Sequence, residues 1–337
     1  MPFEAQQYDI REILIGPFKE TTYGTALLDA SLTHRLRAAP GDFATILRTY
    51  RSDVDHSGKG HPFATERQVV QVDSQYQMTQ EVTDFVAGWL LAWAMAHETV
   101  TGTGPYTHAF IFENATNIAP VTTVFFRDTA DVLFKLADLF MTDLEISGTP
   151  TGPVIAKASF AGSGKQVLGD LGGGGSAAVA LPTNVYLLGS DVDVQIGAVG
   201  APVSIKERVK SWSVKIQTGI EIHRGSGGGL FATMHKLGLP KISFQIAVAA
   251  KNVDDIRTLF LNDTLQELDI LCNSGASAQM NFIFKGVYLA AAKMGLDKIE
   301  EVWTISGDDK GIIKNGANEV LTVNVLNSVA ASYLVAG

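Results

Sequence analysis

The chain has 337 residues, of which 46% are hydrophobic and 18% are charged, with a formal net charge of −9. This composition is typical of a folded globular protein and excludes an intrinsically disordered one. The acidic balance argues against a protein that grips nucleic acid through its phosphates, and the single cysteine, Cys272, excludes intrachain disulfides and thiolate metal clusters.

The first half of the chain predicts β-hairpins around one helix. We expect a helix over 79–96, with Thr79 as its N-cap and an apolar stripe along one side. The polar segment 51–63 has the turn-rich composition of a long hairpin tip. Strands are predicted over 43–50, 65–76, 106–112, 121–126, 143–147 and 154–160, whereas 134–140 fits either a helix or a strand.

The second half follows a Gly-rich stretch, 172–176, which is the best candidate for a linker in the sequence. We therefore place a domain boundary near 170–183 and expect two β domains, 1–175 and 176–337. A second hairpin tip is predicted within 223–240. Strands are expected over 209–216, 241–248, 281–289, 301–306 and 319–326, with a short helix at 252–261 capped by Asn252.

The two halves also resemble copies of one module. Phe110 lies in HAFIFEN and Phe282 in MNFIFKG, at an offset of 282 − 110 = 172. Two further pairs of segments match, 68–77 with 241–250 and the Ile-Ser-Gly segments 145–148 with 304–307. A duplicated module favours an architectural role, because a catalytic centre is needed once whereas a structural element can repeat.

The sequence indicates neither export nor membrane insertion. Residues 1–16 lack a basic segment followed by an apolar one, so no signal peptide is expected. The longest apolar run, 85–96, is shorter than the roughly 20 residues that span a bilayer, and predicts a buried helix or an assembly contact. A single cysteine suits a reducing cytoplasm.

No catalytic, cofactor or metal site is predicted. Gly162-Ser163-Gly164-Lys165 is not a phosphate-binding loop, because Ser159 stands where the first glycine is required and Gln166 follows the lysine. His56 and His61 lie with two aspartates on one polar tip, where a solvated loop is expected in place of a metal site. Trp89 and Trp93 are interpreted as core packing, not as a ligand platform.

A family resemblance is carried by three groups of residues: 20–25 (ETTYGT), 144–148 with 158–165, and 212–221. Together they resemble the tail tube proteins, or major tail proteins, of long-tailed bacteriophages. The first group resembles an E-x-x-Y-G-T opening of those proteins, and the second resembles their Ile-Ser-Gly hairpin that ends in Gly-Ser-Gly-Lys. The third group, in the second half of this chain, resembles one of their strands. The resemblance covers most of the chain in outline. The chain departs from the family in length, since many members carry one tube domain.

The resemblance implies a mainly β tail-tube fold, a sandwich or barrel with one flanking helix per domain, duplicated in tandem. It implies a structural virion protein, not an enzyme, that forms stacked rings, either trimeric and pseudo-hexameric or hexameric. Strands of neighbouring subunits would continue into a closed barrel. The expected partners are further copies of the chain, the tape measure, tail terminator and distal tail proteins, and genomic DNA that passes without specific binding. Assembly is expected in the host cytoplasm.

The two hairpin tips, 51–63 and 223–240, are expected to reach the next ring, and a lumen lined with carboxylates would repel DNA. Alternatives are a capsid or decoration protein, an enzyme with an unrecognised site, and a secreted adhesin. The ring-stacking candidates on the tips are Arg51, Asp53, Asp55, His56, Lys59, His61, Arg224, His235 and Lys236.

Overall fold

The computed structural model describes residues 12–36, 44–52, 67–112, 120–129, 132–168, 179, 185–224, 229–232, 234–249, 258, 260–261, 263–289, 291–297, 300–314 and 319–336. The predicted linker 172–176, most of the first hairpin tip and most of the predicted helix 252–261 lie outside these residues.

Strands form most of the described chain. Those before the predicted boundary are β1 (Glu12–Ile15), β2 (Phe18–Lys19), β3 (His34–Leu36), β4 (Thr45–Ser52), β5 (Arg67–Glu81), β6 (Glu98–Thr101), β7 (Tyr106–Ile111), β8 (Thr122–Thr129), β9 (Val132–Gly148), β10 (Ile155–Gly162) and β11 (Gln166–Leu168). Those after it are β12 (Val192–Ala198), β13 (Ala201–Ser204), β14 (Val209–Gln217), β15 (Ile220–His223), β16 (Met234–Leu237), β17 (Lys241–Ala249), β18 (Gln266–Asn273), β19 (Gln279–Val287), β20 (Ala291–Asp297), β21 (Glu300–Gly307), β22 (Thr322–Asn327) and β23 (Val335–Ala336). The helix α1 spans Asp84–Met95, and short 3-10 turns lie at Asp29–Ser31, Gly189–Asp191 and Lys206–Arg208.

Two sheets build the fold. The large sheet has the order β20-β21-β17-β14-β9-β10-β5-β4, and β1, β3, β8 and β11 join it through the long strand β9. Neighbours along this order are antiparallel. The small sheet has the order β13-β12-β18-β19-β22-β7-β6. These sheets confirm the mainly β fold class.

Each central strand of the large sheet alternates between buried and more exposed side chains. In β10, Ala156, Ala158 and Phe160 are buried, whereas Lys157 between them is exposed. Since successive side chains of a strand point to opposite faces, one face of the large sheet contributes to the core and the other carries polar groups. We call the second one the polar face.

Helix α1 packs within the core and is buried along its whole length. Its N-cap is Thr83, whose hydroxyl accepts a hydrogen bond from the Val86 amide at 3.2 Å. The prediction of a helix from Thr79 was wrong, because β5 continues through Glu81 and pairs with β10 there. No exposed side remains on the helix, so the expected stripe is replaced by burial all round. Trp89 packs 5.8 Å from the ring of Phe160, as the core interpretation predicts.

The ambiguous segment 134–140 is a strand. It lies within β9, where Asp138 adopts a positive φ of 60°. The pairing of β8 with β9 shifts register between Thr122 and Val124, close to this residue, which is typical of a β-bulge.

The two halves share both sheets and one core. β9 pairs with β14 across the predicted boundary, and β2 pairs with β23. Phe110 of β7 and Phe282 of β19 both pair with Val323 of β22, so the two resembling segments flank the same strand. The Ile-Ser-Gly segments are not equivalent, because one lies on β9 beside β14 and the other on β21 beside β17. They share a local arrangement in which a glycine lies under a neighbouring aromatic side chain.

Candidate assembly surfaces and the polar cluster behind them

The polar face carries small polar and charged side chains on neighbouring strands. Its described acidic side chains along the strands are Asp73, Glu81, Asp143 and Glu145, and its lysines are Lys157, Lys215, Lys241 and Lys293. The signs are therefore mixed, and basic side chains of the sheet partly compensate the acidic charge of this face.

The compensation follows the strand register. Glu145 on β9 lies directly opposite Lys157 on β10 and Lys215 on β14. Asp143 accepts a hydrogen bond from the Gln217 amide at 2.9 Å, and its carboxylate lies 3.8 Å from the Lys215 ammonium. Opposite charges placed across adjacent strands stabilise a sheet by a few tenths of a kcal/mol to ~1 kcal/mol each.

A cavity of about 410 Å³ opens on the polar face between Glu145, Lys215 and Asp308, and its other lining includes Ser213 and Ser243. Within the described ranges, no group of three or more His, Cys, Asp or Glu side chains is placed to hold a metal ion.

The structure places the ring-stacking candidates unevenly. Arg51 lies exposed at the end of β4. The other candidates of that tip, Asp53, Asp55, His56, Lys59 and His61, lie outside the described residues. In the second tip, the backbones of His235 and Lys236 pair in β16 with Ile222 and Glu221 of β15. The tip assignments therefore stay predictions.

Arg224 is used inside the subunit. Its Nη2 donates to the Val72 carbonyl at 3.0 Å and pairs with the Asp73 carboxylate, while Nη1 donates to the Leu230 carbonyl at 3.0 Å. The Val72 amide in turn donates to the Leu230 carbonyl at 2.9 Å. The guanidinium therefore attaches the loop after β15 to the outer part of β5, a role that the sequence did not indicate.

A buried polar cluster lies next to this attachment. Glu20 accepts hydrogen bonds from the Thr123 hydroxyl at 2.6 Å and from the Asp138 amide at 3.0 and 3.2 Å. The Asp138 carboxylate accepts from the Ser163 hydroxyl at 2.6 Å and from the Gly24 amide. Both carboxylates are buried, so each is held by donors that replace water.

The cluster continues into the loop after β10. The Lys165 ammonium donates to the Gly24 carbonyl, and the Gly164 amide donates to the Ser74 hydroxyl at 3.3 Å. Gly164 has a φ of +80°, and a Cβ there would lie 2.7 Å from the carbonyl carbon of Val72. Only glycine fits this conformation without a backbone collision.

The cluster explains two of the sequence segments that resemble tail tube proteins. Residues 20–25 supply Glu20 and Gly24, and the Gly-Ser-Gly-Lys segment supplies Ser163 and Lys165. The residue that joins them, Asp138, was missed by sequence analysis. Its signal is a single acidic residue within the apolar stretch 136–141 (LADLFM), because an acidic side chain is rarely buried without partners.

Burial raises the pKa of Glu20 to about 8, although the hydrogen bonds from Thr123 and Asp138 oppose the shift. Burial also raises the pKa of Tyr23, and the nearby carboxylates of Asp138 and Glu20 raise it further. Glu20 is therefore the carboxyl group of the cluster that changes its protonation state at mildly alkaline pH.

A family model described as phage tail tube protein matches residues 11–325. No curated protein matched the sequence. Among the described helices, none has both the length and the hydropathy to cross a membrane. Because the family model covers nearly the whole sequence, the chain belongs to the phage tail tube protein family and is a structural component of the phage tail.

Proposed function

We propose that the chain assembles into rings that stack into the tail tube and form a conduit for genome ejection. The observation that supports this most directly is the open antiparallel order of the large sheet, with one face in the core and the other polar. Among the described strands, the two edge strands of this sheet each have a partner on one side, and pairing with strands of further copies would close such sheets into a barrel. Rings of three or six chains, assembled in the host cytoplasm, fit the proposal.

The polar face is the candidate lining of the conduit. Its mixed charges differ from the carboxylate lining expected from the net charge of the chain. Binding of DNA by counterion release requires lysines and arginines that are free to neutralise phosphates. Here Glu145 lies opposite both Lys157 and Lys215 in the strand register, and the Asp143 carboxylate lies 3.8 Å from the Lys215 ammonium, so these two lysines have carboxylates beside them. A wall of mixed charge with lysines partnered in this way would let DNA pass without specific binding.

We assign the contacts between successive rings to the two hairpin tips. The tape measure, tail terminator and distal tail proteins are the other partners expected for the assembled tube. Arg51 points to this role because it is exposed at the far end of β4. Deleting 53–61 should leave folded subunits that form rings but do not stack. Normal stacking of that variant would remove this tip from the proposal.

Two experiments test the proposal. Electron microscopy of the purified protein at high concentration should show hollow tubes of stacked rings, and compact monomers at every concentration would contradict it. Glu145→Gln should then make assembled tubes retain double-stranded DNA at low salt, because Lys157 and Lys215 lose their shared partner. The matched control is Glu221→Gln, which lies on β15 outside the large sheet.

A further inference from the structure

The large sheet contains one strand arrangement twice. In the first half, the order is β4-β5-β10-β9, which in chain order is first, second, fourth and third. In the second half, the order β14-β17-β21-β20 is again first, second, fourth and third. We call these the first and second four-strand units.

The connections inside the units also correspond. Between its second and third strands, the first unit contains α1 and the hairpin β6–β7. The second unit contains a helical turn at Phe260 and Leu261 and then the hairpin β18–β19. Both hairpins belong to the small sheet, although their order there differs, so the repetition is confined to the large sheet.

The two units join by a specific strand pair. β9, the third strand of the first unit, pairs antiparallel with β14, the first strand of the second unit. Their register runs from Trp212 opposite Gly148 to Gln217 opposite Asp143. The chain thus shows how the end of one unit recognises the start of the next.

The same two kinds of edge lie at the two ends of the large sheet. β20 is the third strand of the second unit, and β4 is the first strand of the first unit. Among the described strands, β20 pairs with β21 alone and β4 with β5 alone. We propose that β20 of one subunit pairs antiparallel with β4 of the next copy of this chain, repeating the β9–β14 junction between subunits.

Directions and faces agree with this pairing. Strands alternate in direction across the eight positions, so β4 and β20 run oppositely and their union continues the alternation. On β4 up to Thr49, the odd-numbered residues lie on the polar face, since Leu47 lies opposite Asp73 and the register shifts only after Thr49. Lys293 of β20 lies on the same face, because it pairs with Thr304, which in turn pairs with Ala247 of that face. Pairing must therefore place odd residues opposite odd residues to keep one continuous polar face.

Both edge strands carry exposed apolar side chains, as expected for edges that a neighbouring subunit covers in the assembly. Leu47 and Tyr50 on β4 are 41% and 40% exposed, and Met294 on β20 is 55% exposed. Long edge strands with exposed apolar residues favour pairing with another chain. The contact joins two different edges, so it is a head-to-tail interface. Such an interface gives a closed ring when the rotation between successive subunits divides evenly into a full turn. This inference rests on the proposed tube assembly and identifies its contact.

Disulfide trapping tests the pairing. Lys293→Cys is combined in turn with Thr45→Cys, Leu47→Cys and Thr49→Cys, which covers the registers that place residue 293 opposite an odd residue in this part of β4. The native Cys272 is fully buried and does not compete. Six strands separate β20 from β4 within one chain, so a bond between them must join two subunits.

Oxidation of assembled tubes should produce a reducible ladder of covalent oligomers for one of the three pairs. The combination of Lys293→Cys with Arg48→Cys should give no ladder, because residue 293 lies on the polar face whereas residue 48 lies on the opposite face. Glu145→Cys with Lys215→Cys serves as the positive control, since these residues face each other at the internal junction and should give a bond within one chain.

The outcomes separate the two proposals. Tubes that form but give no ladder with any odd pair, while the internal control oxidises, overturn the β20–β4 contact and leave the tube proposal standing. Absence of tubes and rings under all conditions overturns both. A ladder with the Arg48→Cys combination and none with the odd pairs also overturns the proposed face alignment.

Discussion

Replacing Gly164 with alanine tests how tightly the polar cluster is packed against β5. Gly164 has a φ of +80°, and its added Cβ would lie 2.7 Å from the Val72 carbonyl carbon and 2.8 Å from the Val72 oxygen. Gly200 offers a matched control, because its φ is +84° and nothing lies within 4 Å of the Cβ position. Both alanines therefore meet the same backbone strain, and only one meets a neighbouring backbone.

The magnitudes follow from these contacts. A non-glycine residue in the left-handed region costs ~1–2 kcal/mol, and this term applies to both variants. Forcing an extra carbon into a packed site costs a further ~1–3 kcal/mol. Gly164→Ala should therefore lower the free energy of unfolding by ~1–3 kcal/mol more than Gly200→Ala does.

Urea unfolding of unassembled subunits, followed by tryptophan fluorescence, measures this difference. The slope of the unfolding free energy against urea should match among the wild type and both variants, so that the midpoints report stability. Equal destabilisation by the two substitutions would refute the claimed close packing of Gly164 on Val72.

Three other predictions concern the charged cluster, the loop attachment and the thiol. The pKa of Glu20 is raised from 4.5 to about 8, so its contribution to stability is fully present below pH 4.5 and is lost as the pH rises through about 8. Glu20→Gln should remove that loss and be more stable than the wild type at pH 9 by ~2 kcal/mol or more; parallel pH profiles in urea titrations would contradict this. Arg224→Lys loses the fork that holds two carbonyls and should speed proteolysis of its loop, whereas Arg51→Lys should not; equal digestion of both would show that the attachment is unimportant. Cys272 is fully buried and burial raises its pKa, so it should react with a thiol reagent only after unfolding, and rapid native labelling would be inconsistent with this packing.

Sequence patterns predicted the strands well where burial alternates with every second residue. Strand β17 was expected over 241–248 and spans Lys241–Ala249, because Ile242, Phe244 and Ile246 mark its buried face. The helix start was misplaced because Thr79 and Thr83 are both acceptable caps. The extension of β5 alongside β10 decides between them, and that pairing is a tertiary effect.

The assembly site was less accessible to sequence reasoning. Charged residues that contact the next ring were predicted on the polar hairpin tips. Arg224 instead forms its contacts with β5 of the same subunit, which is far from it in the sequence. Asp138 was missed because its partners come from segments before and after β9. The duplication was predicted from Phe110 and Phe282, which lie in the small sheet, whereas the repeated strand order lies in the large sheet and depends on pairing that no local pattern encodes.

Cryo-electron microscopy of assembled tubes tests the central claim most directly. The account predicts rings in which the large sheets of successive subunits form one continuous barrel, with β20 beside β4 of the neighbour and the polar face lining the lumen. Tubes whose lumen is lined by the small sheet, or whose subunits meet without strand pairing at these edges, would contradict it.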